Sequence, residues 1–184
     1  MTRLKHFLPN YILLTLYNSL VLPYLNYGLL VWGTASHKLK LLQKRAIRTI
    51  NNAKYNAHTE PLFKSLQLLK VGDLWKLQDL KFLYKLKNSQ LPTYFQSIFI
   101  QQSDVHSYNT RNLAQYRMPQ SKHLFVNNSI RFRLPDIINS CPSNIKDKIQ
   151  THSYPGYIKY VKLHFLVDYQ VLCDIENCYV CQNL

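Results

Sequence analysis

The stretch LYNSLVLPYLNYGLLVWG, residues 16–33, lies inside a run from residue 7 to residue 36 that contains no Asp, Glu, Lys, Arg or His. Such a run is long enough to cross a bilayer, which takes about 20 apolar residues. Its interior argues against that. Asn10, Thr15, Asn18, Ser19 and Asn26 would carry polar groups into hydrocarbon, and Pro23 would leave backbone groups there without partners. The expectation is two short packed helices and no membrane span. Ile12, Leu13, Leu16 and Leu20 recur at helical spacing toward a break at Pro23, which suits the first turn of a second helix reaching Trp32.

The segment that follows differs sharply in charge. Gly33 is expected to stop the second helix, and Thr34 or Ser36 to cap a third reaching about residue 51. There Leu39, Leu42, Ala46 and Ile50 fall within about 80° of arc, and His37, Lys40, Lys44 and Arg48 occupy the opposite side. One face reads as core and the other as cationic, with no acid in the helix to neutralise it through i,i+4 pairs.

Further along, Thr59 is placed to cap a short helix with Pro61 in its first turn, and LFKSLQLLKV leads to Gly72 as a stop. A fifth helix, over about 73–88, carries Trp75, Phe82 and Leu86 on one side and Leu77, Leu80 and Tyr84 on another, the pattern of an inner helix with neighbours on both sides. A short helix in PTYFQSIF follows. The polar, aperiodic segment 101–122 reads as a connector, with room for a short strand pair. Beyond it, VNNSIRFRLPDIINSCP and IKDKI read as short helices joined by Pro turns, and 157–169 as a last amphipathic one with Ile158, Val161, Phe165 and Leu166 inward. The fold class is therefore mainly α: a helical bundle over 1–100, a connector over 101–122, a looser helical region over 123–170 and a Cys-containing tail over 171–184.

The 184 residues carry 23 Lys and Arg against 9 Asp and Glu, a net charge of +14. Residues 1–59 hold eight basic residues and no acid, whereas 151–184 hold two basic residues and three acids. An excess of this size attracts polyanions, so nucleic acid and anionic membrane are the partner classes it indicates. Cys141, Cys173, Cys178 and Cys181 do not make a disulfide framework in a chain this long, which points to a reducing, intracellular compartment, nuclear or cytoplasmic. The N-terminus lacks a small-residue cleavage site, so no secretory signal is expected.

The sequence has no Gly-rich phosphate loop, no nucleophile elbow, no HExxH and no clustered carboxylates to hold Mg²⁺, and no cofactor is implied. The C-x4-C-x2-C spacing of Cys173, Cys178 and Cys181, with His164 as a fourth donor, is the one candidate metal set, against free thiols at a chain end. HSYNTRN, residues 106–112, offers Arg111 as a phosphate clamp, while Asn109 and Thr110 can equally close a plain turn.

Taken in order, LYNSLVLPYLNYGLLVWG, LKLLQKRAIRTI, LLKVGDLWKLQDLKFLYKLKNSQLPTYF, HSYNTRN and SCPSNIKDKI resemble the region just downstream of the polymerase palm in reverse transcriptases of non-LTR retrotransposons, over roughly residues 8–168. The resemblance implies a helical thumb and its downstream segment, without fingers and without the palm whose aspartates carry catalysis in that family. Such a chain would not polymerise DNA by itself. In that family the thumb holds the template–primer duplex by its backbone, which implies RNA, DNA or RNA–DNA duplex as a partner without sequence specificity. The candidate nucleic-acid-binding residues are Lys38, Lys40, Lys44, Arg45, Arg48, Lys54 and Arg111. LPYLNYG and Trp32 would be packing elements, and the Cys-containing tail follows no pattern of the family. Two rivals stand beside this reading: a basic amphipathic module for an anionic membrane or acidic protein partner, and a decayed open reading frame without function.

Overall fold

The computed structural model describes residues 4–32, 37–105 and 129–169, together with 108, 111, 113, 115–120, 122 and 123. It is mainly helical, as expected. Two compact units are formed. Of the described residues, the first comprises those up to Trp75 and those from Lys162 to Tyr169; the second comprises those between Lys76 and Val161.

In the first unit, α1 (Asn10–Leu16) continues through a π-helical turn (Tyr17–Val21) into α2 (Leu22–Asn26). The expected break at Pro23 does not occur. Pro23 sits in the first turn of α2, where its missing N–H costs little, and the widened turn before it relieves the clash of its ring with the preceding carbonyls. The chain turns instead at Tyr27, which is extended, and at Gly28, whose φ of 66° is the left-handed region that glycine enters without strain. A short α3 (Leu29–Trp32) follows. Leu13, Tyr17, Leu25 and Leu29 are buried, a spacing of four or multiples of it. An ideal helix drifts about 40° for every four residues, and the π turn absorbs part of that drift. The same change of register turns Leu20, expected inside, out to solvent.

The third helix is α4 (His37–Ile50); the residues proposed to cap it lie outside the described ones. It is followed by α5 (Glu60–Ser65), with Pro61 in its first turn. The latter is shorter than LFKSLQLLKV suggests, because Gln67 adopts a φ of 52° and closes the helix. Gly72 is not a stop but lies in the first turn of α6 (Val71–Lys87). Three helices end in one motif. After α4, α5 and α6, the residues Asn52, Gln67 and Ser89 take positive φ, and Ala53, Leu68 and Gln90 donate their N–H groups back to Arg48, Phe63 and Lys85 at 2.8–3.0 Å. This closure usually recruits glycine. Here Asn, Gln and Ser serve in a chain with four glycines, so the usual glycine signal is absent from the sequence.

The second unit is built on the rest of α6, α7 (Thr93–Ile98), α8 (Ile130–Ser140), α9 (Ser143–Thr151) and the first part of α10 (Tyr154–Val167). Leu77, Leu80, Leu83 and Tyr84 of α6 are all buried, and Phe82 meets Phe95 and Phe99 edge to face, so α6 is the inner helix its two apolar sides predicted. Tyr84 meets Tyr154 and Tyr157 in tilted ring contacts and donates its hydroxyl to the His152 carbonyl at 2.9 Å. Of a strand pair, one antiparallel bridge is present among the described residues, Gln101 to Tyr116. The Asn139 side chain completes it on the other edge, accepting from Tyr116 N–H and donating to Tyr116 C=O, both at 2.9 Å, as a neighbouring strand would.

One charge pair lies in this core. Asp79 is 0% exposed and takes two hydrogen bonds from the Arg133 guanidinium, 3.0 Å from Nε and 2.6 Å from Nη2. Burial pushes the Asp79 carboxyl above its usual range, and the Arg133 hydrogen bonds and charge pull against it. Breaking such a pair leaves a buried charge without a partner. Arg133→Met is expected to destabilise the protein by about 3–5 kcal/mol, and Asp79→Leu added to it to recover most of that loss. Urea denaturation of the two variants checks this. A single-variant cost below about 1 kcal/mol would place the pair among weak surface contacts.

Candidate functional site

Helix α4 carries five of the seven predicted binding residues. The arc it buries is not the expected one. Gln43, Ile47, Thr49 and Ile50 are buried, with Leu39 and Ala46 at the margin, whereas Leu42 is 60% exposed beside an exposed Leu41. The buried arc is thus rotated toward Gln43 and Ile47, while Leu42 is exposed although Thr49, seven residues on and at nearly the same azimuth, is buried. Lys38, Lys40, Lys44 and Arg45 are exposed, and Arg48 is half-buried.

The rotation follows from Gln43, a polar residue that is only 2% exposed. Its amide nitrogen donates to the Tyr17 hydroxyl and to the Leu69 carbonyl, each at 2.9 Å, and its amide oxygen accepts the Val71 N–H at 2.9 Å. Val71 opens α6, so one side chain ties α4 to α1's continuation and to the entry of α6. Burial raises the pKa of the Tyr17 phenol, opposed by the hydrogen bond from Gln43. Placing Gln43 inward sets the azimuth of every other side chain on α4.

On one flank of α4 a groove of about 580 Å³ is lined by Lys40, Lys44 and Arg48 and by His58, Glu60, Lys70 and Asp73 from α5, α6 and their connections. Arg48 is held in place, its Nε donating to the Ala57 carbonyl at 2.8 Å. Lys70 pairs with Glu60, and its ammonium stands 4.4 Å over the ring of Tyr169. Burial lowers the Lys70 pKa; the nearby Asp73 charge opposes the shift and Lys44 adds to it. The Tyr169 hydroxyl accepts from Lys70 N–H and donates to the Asp73 carboxylate, while Lys64 Nζ donates to the Tyr169 carbonyl at 2.6 Å. Both carboxylates of the groove are therefore engaged, and Lys40 and Lys44 rise above it on the solvent side.

The remaining predicted residues are dispersed. Lys54 is exposed in the loop after α4. Arg111 is an exposed turn residue of the second unit, and its neighbours His106, Ser107, Asn109, Thr110 and Asn112 lie outside the described residues. Cys173, Cys178 and Cys181 also lie outside them. His164 is half-buried on α10 against Phe165, and among the described residues no three His, Cys, Asp or Glu side chains are grouped to hold a metal ion. No described helix is long and apolar enough to cross a membrane. Lys70 and His58 join the groove without having been singled out in the sequence; Lys70 sits in an apolar run, LLKVG, where only the tertiary contact with α4 gives it a role.

Comparison with known proteins finds no matching family, no matching curated protein and no matching solved structure. The functional reading rests on the residues themselves.

Gln43→Leu is nearly isosteric and removes all three hydrogen bonds, leaving Val71 N–H, the Leu69 carbonyl and the Tyr17 hydroxyl buried without their partner. The expected loss is about 3 kcal/mol, with faster amide exchange at Val71. Equal stability and unchanged exchange at Val71 would show that α4 is positioned by its apolar contacts alone.

Proposed function

We propose that this chain is the thumb and downstream segment of a retroelement RNA-directed DNA polymerase, catalytically incomplete by itself, which binds nucleic-acid duplex through backbone phosphates. The observation that carries the reading is α4, a helix without an acid that exposes Lys38, Lys40, Lys44 and Arg45 around a half-buried, anchored Arg48. Cations without intrahelical partners retain their full attraction for phosphate, and phosphate contact positions a duplex without reading its sequence. The exposed Tyr11, Leu20, Tyr24 and Tyr27, large apolar side chains of the charge-free stretch, support a second part of the proposal, that a palm domain covers part of this stretch in the complete polymerase.

Exposed Leu41 and Leu42, lying beside the cations, favour one rival: a basic amphipathic surface for an acidic protein or anionic membrane.

Fluorescence anisotropy with a labelled RNA–DNA hybrid separates the two. Three to four phosphate contacts predict an affinity loss of roughly 40- to 150-fold between about 50 and 200 mM salt. Lys40→Glu with Lys44→Glu, both at exposed positions, is expected to abolish binding at low salt while leaving the circular dichroism spectrum unchanged. Absence of binding at low salt, or an unchanged affinity in the double variant, would refute the proposal. Sedimentation with anionic vesicles undiminished by excess hybrid would favour the rival.

A further inference from the structure

Helix α4 has a second flank whose chemistry differs from that of the groove. A concavity of about 770 Å³ is lined there by Lys38, Leu41, Leu42, Arg45, Arg48 and Tyr55, among others, and no carboxylate lines it among the described residues. Tyr55 is 85% exposed. Tyr11, Tyr24 and Tyr27 are exposed too, but on the charge-free part of the chain; Tyr55 stands among cations.

The loop that presents Tyr55 is tied to one residue at both ends. The Arg48 carbonyl accepts the Ala53 N–H at 2.9 Å, and the Arg48 Nε donates to the Ala57 carbonyl at 2.8 Å, while Ala57 N–H bonds the Lys54 carbonyl at 3.1 Å. Tyr55 lies between these ties, so its ring is held out by a short, closed loop. Arg48 also lines the groove on the opposite flank, so one residue borders both concavities.

We infer that this second flank binds the unpaired bases of a single-stranded segment adjoining the duplex, with a base stacked on Tyr55 and resting on Leu41 and Leu42, and its phosphates on Lys38, Arg45 and Arg48. The inference rests on the reading of α4 as a phosphate-contacting helix and narrows the ligand to a junction between duplex and single strand. A cationic concavity with an exposed aromatic ring is the arrangement that takes single strands, because every base has a face to stack whatever its sequence. Two adjacent leucines and one ring do not supply the row of anchors over two turns that a docked amphipathic helix uses.

The test compares three probes on the full chain: a blunt duplex, the same duplex with an overhang of about eight thymidines, and the same duplex with an overhang of abasic sites carrying equal phosphates. The thymidine overhang is expected to bind about tenfold more tightly than the abasic one. Tyr55→Ala, at an exposed position, should remove that preference and leave the blunt duplex unaffected, and Tyr55→Phe should keep it. Equal affinity for the two overhangs would overturn the inference while leaving the phosphate reading intact. Equal weakening of all three probes by Tyr55→Ala would also overturn it, by assigning Tyr55 to the fold or to phosphate contact. Failure of the unmodified protein to bind any of the three would instead refute the phosphate reading on which the inference stands. Displacement of the overhang probe by an amphipathic peptide of Glu and Leu, without a preference between overhangs, would assign the flank to an acidic protein partner.

Discussion

The first unit depends on one buried amide. Gln43 satisfies the Tyr17 hydroxyl, the Leu69 carbonyl and the Val71 N–H at once, and so joins two stretches of chain, the continuation of α1 and the entry to α6. A buried polar group is tolerated only where its hydrogen bonds are complete, and once complete it admits little rotation or sliding of the element that carries it. Helix α4 is thereby locked in azimuth. The exposure of Leu41, the anchoring of Arg48 against Ala57 and the two concavities on its flanks are consistent with that setting.

Charge is distributed unevenly around this frame. The groove side includes Glu60 and Asp73, and both are engaged, the first by Lys70 and the second by Tyr169. The side holding Tyr55 has no carboxylate lining it among the described residues. The same helix therefore offers a partly compensated wall on one flank and an uncompensated one on the other. In the second unit a charge pair is used differently: Asp79 and Arg133 are withdrawn from water, where their value lies in fixing α6 against α8 and less in net stability.

Much of the helical organisation was legible in the sequence because it rests on local chemistry. The apolar period of α6 marked an inner helix, Pro61 marked the start of α5, and the polar residues of the charge-free run argued for packing instead of a bilayer. What failed did so for identifiable reasons. Pro23 reads as a break, but a π turn before it accommodates the ring and moves the turn to Gly28. The ends of α4, α5 and α6 carry no glycine, because Asn52, Gln67 and Ser89 adopt the left-handed conformation that glycine usually supplies. Leu42, expected inside, is exposed, and Gln43, to which no side was assigned, is buried, since hydropathy cannot register a carbonyl and an N–H waiting at Leu69 and Val71.

By itself, then, the sequence determined a mainly helical chain, an acid-free cationic helix between residues 37 and 50, and the absence of a charged residue from 7 to 36. These are properties of composition and period, which act over a few residues. Only the tertiary structure decided which arc of that helix faces water, that Lys70 and His58 share its groove, that Arg48 joins both flanks and that Tyr55 stands among cations. Those outcomes depend on hydrogen-bond partners 26 to 28 residues away from Gln43, and no local pattern encodes where such partners will be in space.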